Sequence, residues 1–190
     1  MHQKNDLNSL VYCVEMLKKN NVIAYPTESM FGLGCDPTSP KAVYKLLHLK
    51  KRKIEKGLIL VASNYSQIKR YINELALSSQ QKKMMFFFWP GPFTFLVPAN
   101  FSAPYWLTGK FNTVAVRISA HSSIVQLCNM FGKAIISTSA NISNMPPCLS
   151  EKSVFKEFGQ DFPLYNGKIG HEKKPSTIID VINGQFIRNA

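Results

Sequence analysis

The chain reads as an α/β fold built on a mixed parallel and antiparallel sheet with flanking helices. Three observations predict it. Short apolar runs with the length of buried strands alternate with segments whose apolar residues recur at helical period. Near the end, Asn183-Gly184 separates Thr177 to Ile182 from Gln185 to Arg188 as a two-residue hairpin turn, so part of the sheet is antiparallel. Finally, 190 residues, 45% of them hydrophobic, suffice for one well-buried core, and no linker, low-complexity tract or internal repeat interrupts them. Residues 1–190 are therefore read as a single domain.

Leu7, Leu10, Val11, Val14 and Leu17 predict an amphipathic helix over about 6–19, ended by Asn20-Asn21. Val22 to Tyr25 is a short strand, which Pro26 stops. Pro26 to Pro40 holds Gly32, Gly34, Pro37 and small polar residues, and reads as a functional loop. Ser39-Pro40 is an N-cap and first-turn pair, and the helix it opens turns Val43, Leu46 and Leu47 inward. Leu58 to Ala62 is a buried strand and Ser66 to Ile72 a short helix. Ser78 with Gln81 resembles a capping box for a helix reaching Phe88. Trp89-Pro90-Gly91-Pro92 is a rigid turn with a buried indole. Strands follow at Phe93 to Val97 and Val114 to Ile118, and a helix at Ser122 to Phe131. Ala134-Ile135-Ile136 is a strand that runs into the turn Ser137-Thr138-Ser139-Ala140-Asn141. Ser153 to Phe158 is the last helix.

The composition narrows the function. Lys and Arg number 23 against 11 Asp and Glu, a net charge of +12, which suits an anionic partner such as a nucleotide, RNA or membrane surface, or else a solvated excess of lysine. The four cysteines, Cys13, Cys35, Cys128 and Cys148, form no C-x-x-C pair, and no His has a partner at metal-ligand spacing. No metal site is expected. The N-terminus lacks the apolar core of a secretory signal, and Met84 to Trp89 is too short to span a membrane. A reduced cytoplasmic protein with no membrane contact is the simplest expectation. No P-loop, dinucleotide fingerprint or hydrolase elbow occurs.

Chemistry then rests on a few residues. Lys50 and Arg52, two apart in a basic stretch, can converge on one phosphate only if the helix has ended by then; otherwise they are a solvated basic helix end. Ser139 and Asn141 share that spacing at a strand end. They can offer neutral groups to phosphate or ribose, or merely shape a polar turn. Arg117 lies within the apolar strand V-A-V-R-I, where an unpaired charge is costly. It requires a carboxylate, either from a ligand or from Asp180 in T-I-I-D-V. Thr27, in Tyr25 to Ser29, and Ser176, before the strand at Thr177, supply hydroxyls that bind a ligand or serve local turns. Thr94 is a further hydroxyl that could face the cleft.

Taken in order, these segments resemble the YrdC-like threonylcarbamoyl-AMP synthases in their short single-domain form. The resemblance runs through Y-P-T-E-S-M-F-G-L-G-C-D (Tyr25 to Asp36), K-K-R (Lys50 to Arg52), K-G-L-I-L (Lys56 to Leu60), W-P-G-P-F-T (Trp89 to Thr94), V-A-V-R-I (Val114 to Ile118), S-T-S-A-N (Ser137 to Asn141) and P-S-T-I-I-D (Pro175 to Asp180). It implies a twisted sheet with a basic concave face. It also implies a nucleotidyltransferase reaction in which L-threonine, bicarbonate and ATP give threonylcarbamoyl-adenylate and pyrophosphate. Other proteins would then transfer the threonylcarbamoyl group to an adenosine beside the anticodon of certain tRNAs. By the same resemblance Lys50, Arg52, Ser139 and Asn141 line the ATP site, with Lys50 and Arg52 as the catalytic cations. Thr27, Arg117 and Ser176 match positions near the threonine end. No tightly bound cofactor is implied; Mg²⁺ would come with the nucleotide.

Three positions depart from the family's pattern: Lys53 and Ser119 stand where Pro is common, and Met30 replaces an aliphatic or aromatic residue. The rival reading is a non-catalytic module of the same fold that binds tRNA, ribosomal RNA or double-stranded RNA, for which the basic stretch Lys45 to Lys56 argues. The chain lacks recognisable RNA-binding motifs with stacking aromatics. An enzyme of the same fold acting on another carbamoyl acceptor is a further variant.

Overall fold

A computed structural model describes residues 2–189, with the side chains of residues 2–6, including the isolated His2, outside that description. An eight-stranded sheet runs through the molecule. Its strands are β1 (Ile23–Pro26), β2 (Phe31–Cys35), β3 (Ile59–Ala62), β4 (Phe93–Pro98), β5 (Thr113–Ile118), β6 (Ile135–Ser139), β7 (Thr177–Asp180) and β8 (Phe186–Arg188). The spatial order is β1-β2-β6-β3-β5-β4-β7-β8. Only β3 with β5 and β4 with β7 are parallel; the remaining neighbours are antiparallel. The helices are α1 (His2–Lys18), α2 (Pro40–Lys50), α3 (Ser79–Phe88), α4 (Tyr105–Thr108), α5 (Ser122–Phe131) and α6 (Glu151–Phe158).

Strand alternation divides the sheet into two faces. Ala24, Leu33, Ile136, Leu60, Val116 and Phe95 point to one, where α2 contributes Val43, Leu46 and Leu47 and the end of α3 contributes Met85 to the larger core. Ile23, Tyr25, Ile135 and Val61 point to the other, beneath Leu10, Val14 and Leu17 of α1 and Ile124 and Leu127 of α5. Those two helices cover only part of that face. Its continuation, through Ser137, Ile59, Arg117, Thr94 and Ile178, lines an open cleft. The incomplete cover is what leaves a site on the sheet.

The structure departs from the sequence reading in several places. The supposed loop after Pro26 contains β2. Its two glycines are not loop residues but spacers: a Cβ on Gly34 would stand 2.7 Å from the Tyr25 ring and 2.8 Å from the Ile136 carbonyl oxygen. Tyr25 thereby lies flat against the strand and its hydroxyl donates to Ser137 Oγ at 2.7 Å. Gly34→Ala is expected to lower stability by about 2 kcal/mol, a downward shift of the melting midpoint of several degrees. An unchanged midpoint would show that Tyr25 can move aside.

Because β2 exists, β6 runs further than its apolar residues do. Gly32 pairs with Ser139 and Gly34 with Ser137, so the ladder carries the strand to Ser139. The short helix expected from Ser66 to Ile72 is two 3₁₀ turns, Tyr65–Gln67 and Lys69–Tyr71, interrupted at the fully buried Ile68. Strand β7 stops at Asp180 rather than Ile182. The Asp180 carboxylate accepts from the Ile182 amide and the Asn183 side chain, and the Gly184 amide reaches back to the Asp180 carbonyl. The hairpin is antiparallel as expected, but its turn is longer than two residues because Asp180 organises it. The capping box of α3 is present, and the Trp89 indole is buried and donates to the Phe93 carbonyl.

Candidate functional site

The cleft has a volume of about 680 Å³, a common size for small-molecule sites. Its wall carries four cations, Arg52, Lys56, Arg117 and Arg188, against one carboxylate, Asp180. Hydroxyls of Thr27, Thr94, Ser137, Ser139 and Ser176 stand between them. Such a surface holds anions at more than one point.

The basic stretch is split by a helix ending. Lys51 adopts a left-handed conformation (φ 49°), and the amides of Lys51 and Arg52 return to the carbonyls of His48 and Leu47. This is a Schellman ending with lysine where glycine is usual. It sends Lys50 and Arg52 in different directions. Arg52 lies on the cleft, where its Nη2 donates to the Gly57 carbonyl at 2.9 Å. Its buried Nε has no hydrogen-bond partner among the described residues. Lys50 instead points into the S-T-S-A-N turn. Its Nζ donates to the Ser139 carbonyl at 2.6 Å, the Asn141 carbonyl at 2.8 Å and Asn141 Oδ1 at 2.9 Å. Burial, then the like charge of Arg52, lowers the Lys50 ammonium to a pKa of about 8.

Ser139 Oγ also donates to Asn141 Oδ1, at 2.7 Å, and Asn141 Nδ2 donates to the Met145 carbonyl. Of the four residues read as the ATP site, Arg52 and Ser139 line the cleft, while Lys50 and Asn141 stand behind it as the frame of the turn. Lys50, Ser139 and Asn141 form one hydrogen-bonded cluster, and Arg52 shares the cleft with Ser139.

At the other end Arg117 is 7% exposed and lies on the cleft. The sequence offered Asp180 as its internal partner. The structure corrects this: Arg117 Nη1 lies 3.3 Å from Glu28 Oε2, and Asp180 is occupied by its own turn. Glu28 Oε1 accepts from Ser119 Oγ at 2.6 Å, so one departure from the family's pattern supports the pair. Thr27 also lines the cleft, yet its Oγ1 donates to the Met30 carbonyl at 2.7 Å. Ser176 Oγ lies 2.9 Å from Thr94 Oγ1 and accepts from Arg188 Nη2 at 3.1 Å.

Arg188 escaped the sequence reading. It sits at the far end of the hairpin, and only the pairing of Ile178 with Arg188 turns it to the cleft. Partial burial, then the charge of Arg117, lowers its pKa. The alternation of Ile178 and Arg188 across a hairpin was the signal available for it. No group of three His, Cys, Asp or Glu that could hold a metal ion occurs among the described residues, and no helix there is long and apolar enough to cross a membrane. All four cysteines are free and buried.

A mixed sheet with a cationic, hydroxyl-lined cleft on its uncovered face defines an α/β protein suited to anionic small molecules. More narrowly, a family model for Sua5, YciO and YrdC proteins, described as telomere recombination, matches residues 15–190, and the chain belongs to that family. It is 67% identical over 182 residues to the threonylcarbamoyl-AMP synthase of Buchnera aphidicola subsp. Schizaphis graminum, covering 96% of each chain. It is 47% identical over 188 residues to the enzyme of that name from an Enterobacter strain, covering 99% of each. Among solved structures, P. abyssi Sua5 complexed with L-threonine matches with a TM-score of 0.84 and 27% identity, over 94% of this chain. The chain spans about half of that protein, 52%. E. coli YciO shares the fold, with a TM-score of 0.76 at 21% identity over 95% of this chain and 84% of that one.

Proposed function

We propose that this protein is a threonylcarbamoyl-AMP synthase. The observation that carries the reading is one cleft with two cationic ends: Arg52 and Lys56 beside the Ser139 hydroxyl, and Arg117 within the sheet beside Ser176. The first end suits a triphosphate. The second suits the α-carboxylate of an amino acid, beside the Glu28 that already pairs with Arg117 inside β5. The synthase name of relatives up to 70% identical supports the same reading.

The chemistry balances with these groups. Threonine amine and bicarbonate give a carbamate and water; a carbamate oxygen attacks the α-phosphorus of ATP, and pyrophosphate leaves. Carbamate is a weak nucleophile, so holding it in line with phosphorus contributes much of the acceleration. Arg52 offsets charge developing on the phosphates, with Mg²⁺ brought by the nucleotide. Ser139 positions the nucleotide, and Lys50 and Asn141 fix Ser139. Thr27, Arg117 and Ser176 hold threonine. The protein acts in the cytoplasm, and its product passes to proteins that modify the adenosine next to the anticodon of tRNA. The basic surface also gives tRNA a place to approach.

Purified protein is expected to release pyrophosphate only when ATP, L-threonine and bicarbonate are all present. Release that ignores threonine would point to another carbamoyl acceptor. No release under any combination, together with salt-sensitive RNA binding, would favour the non-catalytic module.

A further inference from the structure

The functional reading gives no task to Glu28, the carboxylate paired with Arg117. Three observations bear on it. The pair is buried, with side-chain exposures of 9% for Arg117 and 13% for Glu28. It is also incomplete: Arg117 Nε and Glu28 Oε2 have no hydrogen-bond partner among the described residues. Finally, the turn carrying Glu28 is held without its carboxylate. The Thr27 amide and hydroxyl both donate to the Met30 carbonyl, at 3.0 and 2.7 Å. The Gly170 amide donates to the Thr27 carbonyl at 2.8 Å, and the Glu172 amide to the Glu28 carbonyl at 3.0 Å. The carboxylate's own contacts lie outside that turn, with Ser119 Oγ at 2.6 Å and with Arg117.

Its effect is electrostatic. Arg117 shares the cleft with Arg52, Lys56 and Arg188, and unpaired it would attract any small anion, including phosphate and bicarbonate. With Glu28 beside it the pair is itself close to neutral, and Arg188 is left as the net positive charge at this end. A plain carboxylate arriving at Arg117 then meets attraction and repulsion together. An amino acid brings an ammonium group that Glu28 attracts. A unit charge a few ångströms away in a partly buried site changes affinity by roughly tenfold or more.

We infer that Glu28, acting through Arg117, sets specificity: it makes this end of the cleft a receptor for a zwitterionic amino acid and turns away plain anions. The inference rests on threonine being the substrate. The test is calorimetric binding of L-threonine and of 3-hydroxybutyrate, which is threonine without its amine, to wild type, Glu28→Gln and Glu28→Ala. Wild type should prefer threonine, and in both variants the ratio of the two affinities should fall by about tenfold, mainly because the analogue binds more tightly. An equal loss for both ligands in both variants would make Glu28 a strut and overturn the inference. If wild type binds the analogue as well as it binds threonine, the inference is likewise overturned while the cleft remains an anion site. Failure of wild type to bind either ligand would overturn the functional reading beneath it.

Discussion

Arg52→Ala is expected to lower pyrophosphate release by about a hundredfold to a thousandfold while leaving the protein folded. Arg52 is the cation of the K-x-R motif that reaches the cleft, and its buried Nε is uncommitted. A guanidinium can grip two phosphate oxygens at once, and in a half-buried site its charge is poorly screened. Its one internal bond, to the Gly57 carbonyl, contributes about 1 kcal/mol, so the melting midpoint should move by only a few degrees. Burial lowers the Arg52 pKa, but an arginine so placed still carries its charge at neutral pH. Turnover should fall together with ATP affinity, since the same contact acts before and during the reaction. Arg52→Lys should recover only part of the rate, because an ammonium lacks the two-pronged geometry. Near-normal turnover in Arg52→Ala would mean that the phosphates lie elsewhere, with Lys56 or Arg188 the next cations to test.

Much of this site was legible in the sequence because its residues break local rules. A charge within V-A-V-R-I, and hydroxyls and an amide after Ala134-Ile135-Ile136, are out of place in a core. The structure does set Arg117 and Ser139 on the cleft. What was not legible depended on distant pairing. Strand β2 was hidden because Gly32 and Gly34 carry the signature of a loop. Their purpose appears only once the Tyr25 ring is placed against them. Missing β2 then shortened β6, since Ser137 to Ser139 are strand residues by virtue of their partner, not of their own propensity. The partner of Arg117 is Glu28 rather than the Asp180 that the sequence offers, for the same reason. Asp180 was near in the motif pattern, but Glu28 is near in space. Arg188 has no motif of its own and becomes a cleft residue only through hairpin register.

The cleft exists because two helices stop short. Helices α1 and α5 cover Ile23, Val61 and Ile135 and leave the rest of that face open. The residues that alternate with the core along β3 to β7 are thereby freed for binding without interrupting the sheet. The opposite face carries the larger core, so substitutions on the cleft face can change chemistry with limited effect on stability. Lys50 is the exception: it lies off the cleft, yet it holds the turn that carries Ser139.

Lys50→Met is expected to lower stability by about 3 kcal/mol, which moves the melting midpoint by roughly 10 °C, and to reduce turnover at least tenfold. Lys50 is 2% exposed, and its ammonium places its three donors on two carbonyls and one amide oxygen of the turn that carries Ser139. Removing it leaves three acceptors without their donor and loosens Ser139 on the cleft. Lys50→Arg should not rescue, since a larger planar group cannot occupy so buried a site without displacing the turn. The pH dependence carries the same signature. Lys50 has its folded pKa lowered to about 8 from an ordinary 10.5, so between those values the unfolded chain binds more protons than the folded one. Stability contributed by this group therefore rises with pH across that window, because deprotonation relieves the burial of charge; below pH 8 both states are charged and the contribution is flat. Subtracting the Lys50→Met stability curve from that of wild type should isolate the rise. A Lys50→Met protein that melts like wild type but has lost turnover would show that the ammonium acts on the substrate directly and not through the turn.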